Sequence, residues 1–146
     1  MQRSLVDVNI WLSLLVRQHQ HHRIARKWYE ALDAAEAGLC RFVQLGLIRL
    51  LGNRSIMGSD AISAVAAWDL IDELLADERV EFVSEPPDFN NFFPSLLSYS
   101  VPTGKLVGDA YLAAFALSAS RRLVTLDAGF RQFRGLDLEV IGSARH

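Results

Sequence analysis

The sequence predicts an α/β domain in which helices cover both faces of a parallel sheet. Three observations predict it. Short apolar runs of strand length alternate with longer stretches of helical spacing along the whole chain, an order that normally builds a parallel sheet. The strand-length runs are almost continuously apolar, as strands buried on both faces must be. No linker, internal repeat or low-complexity tract interrupts the 146 residues, so residues 1–146 are expected to form a single domain.

Each element has a local reason. Residues 5–8 are an apolar run bounded by Asn9 and read as a buried strand; Asn9 can cap a helix over 10–17. Residues 22–36 are amphipathic, with Ile24, Trp28, Ala31 and Leu32 on one face. Residues 39–41 look like a short strand. Val43, Leu47, Leu50 and Leu51 give 42–51 helical spacing, and Gly52-Asn53 stops it. Residues 53–59 read as a loop, and Asp60 as the cap of a helix running to about 76. A strand over 80–83 leads to the turn Glu85-Pro86-Pro87-Asp88. The aromatic stretch 89–99 reads as a helix that Pro94 weakens. Thr103-Gly104 precedes an apolar helix ending near 120. A strand over 123–126, a helical turn over 128–133 and a strand over 138–141 complete the order.

Composition excludes several classes. Hydrophobic residues make up 51% of the chain, enough for a real core and too many for disorder. No stretch reaches the roughly 18 uncharged apolar residues of a membrane span. The apolar stretch 5–16 is broken by Asp7 and lacks a small-residue cleavage site, so no signal peptide is expected. Cys40 is the only cysteine, which fits a reducing cytoplasm. Net charge is −2 but unevenly spread: +4 over residues 1–54, −8 over 55–104 and +2 over 105–146. A polyanion could meet the two basic segments while the acidic middle faces elsewhere; charge drift along solvated helix faces is the ordinary alternative.

Those basic segments also hold three aspartates in apolar surroundings. Asp7 lies near the end of the first strand, Asp109 near the head of the apolar helix, and Asp127 just past the fourth strand. Open α/β sheets bind ligands outside the carboxyl ends of their strands, so all three fall where chemistry is expected. Each has a plain structural explanation as well: Asp109 and Asp127 as helix caps, Asp7 as the partner of an arginine. Taken together, three hard oxygen ligands without His or Cys nearby suit Mg2+ or Mn2+, and such ions serve phosphoryl chemistry.

The residues also match a family. Leu5-Val6-Asp7-Val8-Asn9, Gly104-Lys105-Leu106-Val107-Gly108-Asp109-Ala110-Tyr111-Leu112-Ala113-Ala114 and Leu123-Val124-Thr125-Leu126-Asp127-Ala128-Gly129-Phe130 resemble, in order and spacing, the PIN-domain ribonucleases, and among them the VapC-type toxins of bacterial toxin–antitoxin pairs. Weaker matches are His21-His22 with Ala25, and Gln44-x-Gly46-x-x-Arg49-Leu50. The likeness runs from about residue 4 to 141. It implies a three-layer α/β/α domain with a central, mainly parallel sheet of four to five strands, acting as an endoribonuclease dependent on Mg2+ or Mn2+. Asp7, Asp109 and Asp127 occupy the family's acidic positions, and Asn9 and Thr125 its supporting polar ones. Gln44 stands where many PIN domains carry a glutamate, which leaves one or two metals open. Arg49 and Lys105 are candidates for positioning the RNA backbone.

The resemblance further implies a VapB-like antitoxin partner and a homodimer, and residues 89–99 look like an exposed apolar interface. Two rival readings share the site: a catalytically weak module that binds RNA or protein, kept alive by the neutral Gln44, and a structure-selective DNA nuclease. Two further patterns have ordinary readings. His19, His21 and His22 could bind a soft metal, but such a run more often leads a loop into a helix. Trp28, Trp68, Phe89, Phe92, Phe93 and Tyr99 could stack bases, yet their helical spacing favours core or a protein interface.

Overall fold

The computed structural model describes residues 2–98 and 104–142. Among these residues five strands occur: β1 (Ser4–Val6), β2 (Ala37–Leu39), β3 (Val80–Phe82), β4 (Arg122–Thr125) and β5 (Leu138–Val140). They form one sheet in the order β3-β2-β1-β4-β5, and every pairing is parallel. The sheet is thus wholly parallel, at the upper strand number expected. Helices α1 (Val8–Leu15), α2 (His22–Glu30), α3 (Arg41–Leu51), α4 (Arg54–Met57), α5 (Ala64–Ala76), α6 (Phe93–Leu96) and α7 (Gly104–Ala119) flank it. Helix α1 packs on α2 and α3, α3 on α5, and α7 on β4 and α6. No helix among the described residues is long and apolar enough to cross a membrane.

The core follows from the apolar runs. Leu5, Val6, Leu39, Leu123 and Val124 from the sheet lie under Trp11, Val43, Leu47, Ile71, Phe115 and Phe130, all at most 1% exposed. The ring of Trp11 meets those of Trp28 and Tyr29 edge-on, at 6.2 and 6.3 Å. At the amino end of the sheet, Arg121 donates to the Ser4 carbonyl and to Glu81, which Arg3 also engages. Gly38 makes this crossing possible. A Cβ there would stand 2.5 Å from the Ser4 carbonyl oxygen, 2.9 Å from the Val83 side chain and 3.0 Å from the Arg121 guanidinium.

Several boundaries differ from the sequence reading. Helix α2 stops at Glu30 rather than 36, because the chain must turn into the sheet: Ala35 takes a left-handed φ of 57° and its N–H donates to the Glu78 carbonyl. Strand β2 therefore starts at Ala37, and Cys40-Arg41, read as strand, instead open α3. The expected loop 53–59 is helical. Asn53 accepts from the Ser55 N–H to start α4, and a 3-10 turn at Gly58–Asp60 follows. Ser63, not Asp60, caps α5 by accepting from the Ala66 N–H; Asp60 accepts from Gln18 instead.

The aromatic stretch is split into a 3-10 turn, Phe89–Asn91, and the short α6, with Pro94 in its first turn. Most of it is not the exposed patch that its composition suggested, although Leu97 is exposed. Phe89 and Leu96 are buried, and Phe89 and Phe93 stack on Tyr111 of α7, so the stretch folds back onto its own chain. Tyr99 lies outside the described residues. The exposed large apolar residues include Phe42, Leu45, Trp68 and Phe82.

Candidate metal centre

The strand order gives the site its place. From β1 the chain runs outward through β2 to β3, then returns to lay β4 and β5 on the other side. The reversal lies between β1 and β4, and the crevice at their carboxyl ends is where doubly wound sheets bind ligands. Asp7 follows β1 directly and Asp127 follows β4 by two residues.

Asp7 is extended and caps α1: one carboxylate oxygen accepts from the Val8 N–H at 2.7 Å. The other accepts from the Thr125 hydroxyl, also at 2.7 Å. Thr125 Oγ1 in turn accepts from the Asp127 N–H at 3.0 Å and from the Asn9 amide at 3.4 Å. Asn9 Oδ1 accepts from the Leu126 N–H. Asn9 therefore lies inside the first turn of α1 and reaches across to β4, and does not cap the helix as the sequence suggested. Thr125 and Asn9 together pin the β1–α1 junction to the turn after β4.

Asp127 caps the 3-10 turn Ala128–Gln132 by accepting from the Gly129 N–H at 2.8 Å. Asp109 sits in the second turn of α7 and so is no cap. Between Asp109 and Asp127 stands Lys105, whose ammonium donates to one oxygen of each at 2.6 Å. The capping explanation thus holds for Asp127 and describes Asp7 as well, but a cap occupies only part of a carboxylate, which has about four lone-pair sites.

The environments separate the three. Burial pushes the Asp7 carboxyl up, more than its bonds from Thr125 and Val8 hold it down, and Asp109 and Asp127 add to the rise. Burial likewise raises Asp109 despite Lys105. Asp127 is lowered, first by the Lys105 hydrogen bond. The same ammonium is thus outweighed at one partner and dominant at the other, because Asp109 is the more enclosed of the two, with side-chain exposures of 16% and 31%.

A divalent cation fits this donor set: hard oxygens and a buried carboxylate, Asp7, whose hydrogen-bond donors are neutral. As the side chains stand, no three His, Cys, Asp or Glu among the described residues are grouped to hold one ion.

The supporting residues divide. Gln44 is buried, and its carbonyl oxygen accepts from Arg41 at 2.6 Å. Arg49 is exposed near the carboxyl end of α3, eight residues and roughly 12 Å along the helix from Arg41. Since α3 starts at the carboxyl edge of the sheet, the Arg49 backbone lies about that far along the helix from this edge. Arg41 is the basic residue of α3 at that edge, with its guanidinium over Trp68 and Phe82. Sequence reading missed it by placing it in a strand. Beside it lies a groove of about 470 Å³ lined by Phe42, Leu45, Phe82 and Tyr111 among others. The histidines are accounted for locally: the His22 ring nitrogen bonds the Ser13 carbonyl, and His19 bonds the Ser13 hydroxyl and the His21 N–H.

The raised Asp7 carboxyl has a consequence without metal. Folding binds its proton more tightly, so its contribution is most favourable below the ordinary carboxylate range and is lost as pH rises through the raised value. Asp109 acts in the same sense and Asp127 in the opposite one. Metal-free Asp7→Asn should therefore be more stable than wild type at pH 7 by roughly 1 kcal/mol, with the gap closing as pH falls. Calorimetric melting at both pH values checks this; a variant less stable at pH 7 refutes it.

The comparisons agree with the fold. Residues 4–136 match the PIN domain family model. The chain is similar to ribonuclease VapC41 of Mycobacterium tuberculosis, with 36% identity over 94% of this chain and 97% of the relative. Ribonuclease VapC29 of the same organism is 33% identical over 90% of each chain. Among solved structures, DNA-bound VapBC from Salmonella typhimurium superposes with a TM-score of 0.68 at 14% identity, covering 95% of this chain and 98% of that one. A PIN model over nearly the whole chain, together with these full-length relatives, makes this chain a member of the PIN-domain family, of the VapC ribonuclease type.

Proposed function

We propose that the protein is a metal-dependent endoribonuclease, the toxin of a toxin–antitoxin pair, and that residues 1–146 act as a single cytoplasmic domain. The observation that supports this reading is that Asp7 and Asp127 follow the two strands flanking the reversal point of the sheet, with Asp109 joined to Asp127 through Lys105. Asp7, Asp109 and Asp127 would hold Mg2+ or Mn2+, which when bound supplies Lewis acidity at a phosphoryl oxygen and acidifies a water. The chain's own residues do the rest. The Thr125 hydroxyl and the Val8 N–H fix the Asp7 carboxylate, and Asn9 ties the start of α1 to Thr125 and Leu126 at the end of β4. The Gly129 N–H fixes Asp127. Lys105 and Arg41 offer positive charge to the RNA backbone. Gln44, engaged by Arg41, serves by orienting that guanidinium.

The VapC relatives and the VapBC neighbours support a VapB-like antitoxin as partner. The exposed Phe42, Leu45, Trp68 and Phe82 supply an apolar surface suited to a two-fold dimer. Light scattering that gives a monomer at micromolar concentration would remove the dimer.

The test of function is cleavage of total RNA by the purified chain in millimolar Mn2+ and in excess EDTA. Cleavage is expected in the first and not in the second. Cleavage that persists in EDTA refutes the metal centre, and RNA bound but intact in Mn2+ makes the protein a binding module.

A further inference from the structure

Lys105 occupies the place of a cation. Its nitrogen lies 2.6 Å from Asp109 Oδ2 and 2.6 Å from Asp127 Oδ2, and the Phe130 ring lies 5.9 Å away. Asp109 and Lys105 share one face of α7, one turn apart, while Asp127 comes from the turn after β4. The lysine therefore joins the two elements. It is not packed in to do so: the side chain is 63% exposed, and its flexible four-carbon stem can swing outward. Among the described residues, the Asp7 carboxylate accepts from the neutral Thr125 hydroxyl and Val8 N–H. Two carboxylates are thus engaged by an ammonium and the third by a hydroxyl and a backbone N–H, and among the described residues the three are not grouped around one point.

We propose that Lys105 is an internal counter-ion that a divalent cation must displace, so that lysine and metal take the Asp109–Asp127 position in turn. The proposal rests on the metal-centre reading above. A small divalent ion such as Mg2+ binds carboxylate oxygens at about 2.0–2.1 Å. It cannot share two such oxygens, on the same side, with an ammonium already 2.6 Å from both; the two would collide as well as repel. Entry of the ion releases the ammonium while its Cα stays one helical turn from Asp109. The anion then left within its reach is the RNA phosphodiester. One event thus loads the site and turns Lys105 from a holder of carboxylates into a holder of substrate. Without metal, the lysine neutralises part of the acidic cluster and lowers its affinity for ions.

Two measurements without RNA test this. In titration calorimetry with Mn2+, Lys105→Met, which keeps an apolar stem and loses the charge, should bind about tenfold more tightly than wild type. Equal or weaker binding overturns the displacement and leaves the metal centre standing. No binding by either protein overturns both. The second measurement uses the wild-type chain alone. Lys27 and Lys105 are its only lysines, so acetylation by acetic anhydride, followed by mass spectrometry, has an internal reference. The rate at Lys105 relative to Lys27 should rise severalfold at saturating Mn2+. A ratio that does not rise overturns the proposal, whatever the variant does.

Discussion

Asp109→Asn is expected to cut RNA more slowly than wild type by a factor on the order of 10²–10³ while keeping its fold. Asp109 is the informative position because it caps nothing: it lies inside α7, and its described polar partner is Lys105. The substitution keeps size and removes one negative charge from a cluster in which Asp109 and Asp127 raise Asp7 and Asp127 raises Asp109. Loss of activity therefore reports loss of the charge and not of a helix start. Cleavage assays with melting curves on the same preparation decide it. A variant that retains wild-type cleavage would take Asp109 out of the centre; one that no longer melts cooperatively would make the carboxylate structural.

Gly38→Ala should destabilise the protein by about 3 kcal/mol or more, a fall in melting temperature of roughly 10 °C. The added methyl would meet the Ser4 carbonyl oxygen at 2.5 Å. That oxygen belongs to the adjacent central strand, so relief requires β1 and β2 to part or the Arg121 guanidinium to leave Ser4 and Glu81. Gly46→Ala is the control. Its methyl would meet only the Val8 side chain, at 3.3 Å, and should cost much less. Similar melting temperatures for the two variants would contradict the crowding at Gly38.

Much of this was legible in the chain because long-range and local signals agreed. The apolar runs marked all five strands to within two residues, and Asp7 and Asp127 fell at the sheet edge because strand ends and cap residues are written side by side. The errors share a cause: local patterns with two good outcomes. Asn9 and Asp7 are both good caps, and only the tertiary bonds of Asn9 to Thr125 and Leu126 decide between them. Residues 31–36 have helix-forming composition, but the sheet needs the chain back at Ala37. Asp60 and Ser63 compete in the same way, and Ser63 wins by its bond to Ala66. The aromatics at 89–96 looked unpaired because their partner, Tyr111, comes more than a dozen residues later. Arg41 was hidden by a two-residue shift of β2, and nothing local reveals that Lys105 bridges two elements.

The pairing of β1 with β4 and the bond from Thr125 to Asp7 span 118 positions each. During synthesis, the central strand therefore waits, with one edge open, until some 120 further residues have emerged, and contacts of such sequence separation form slowly. The acidic crevice is assembled by the last of these encounters. If RNA is cut at that crevice, as proposed, a growing chain is harmless to RNA for most of its time on the ribosome, and the interval in which an inhibitor must find it begins only when the fold closes.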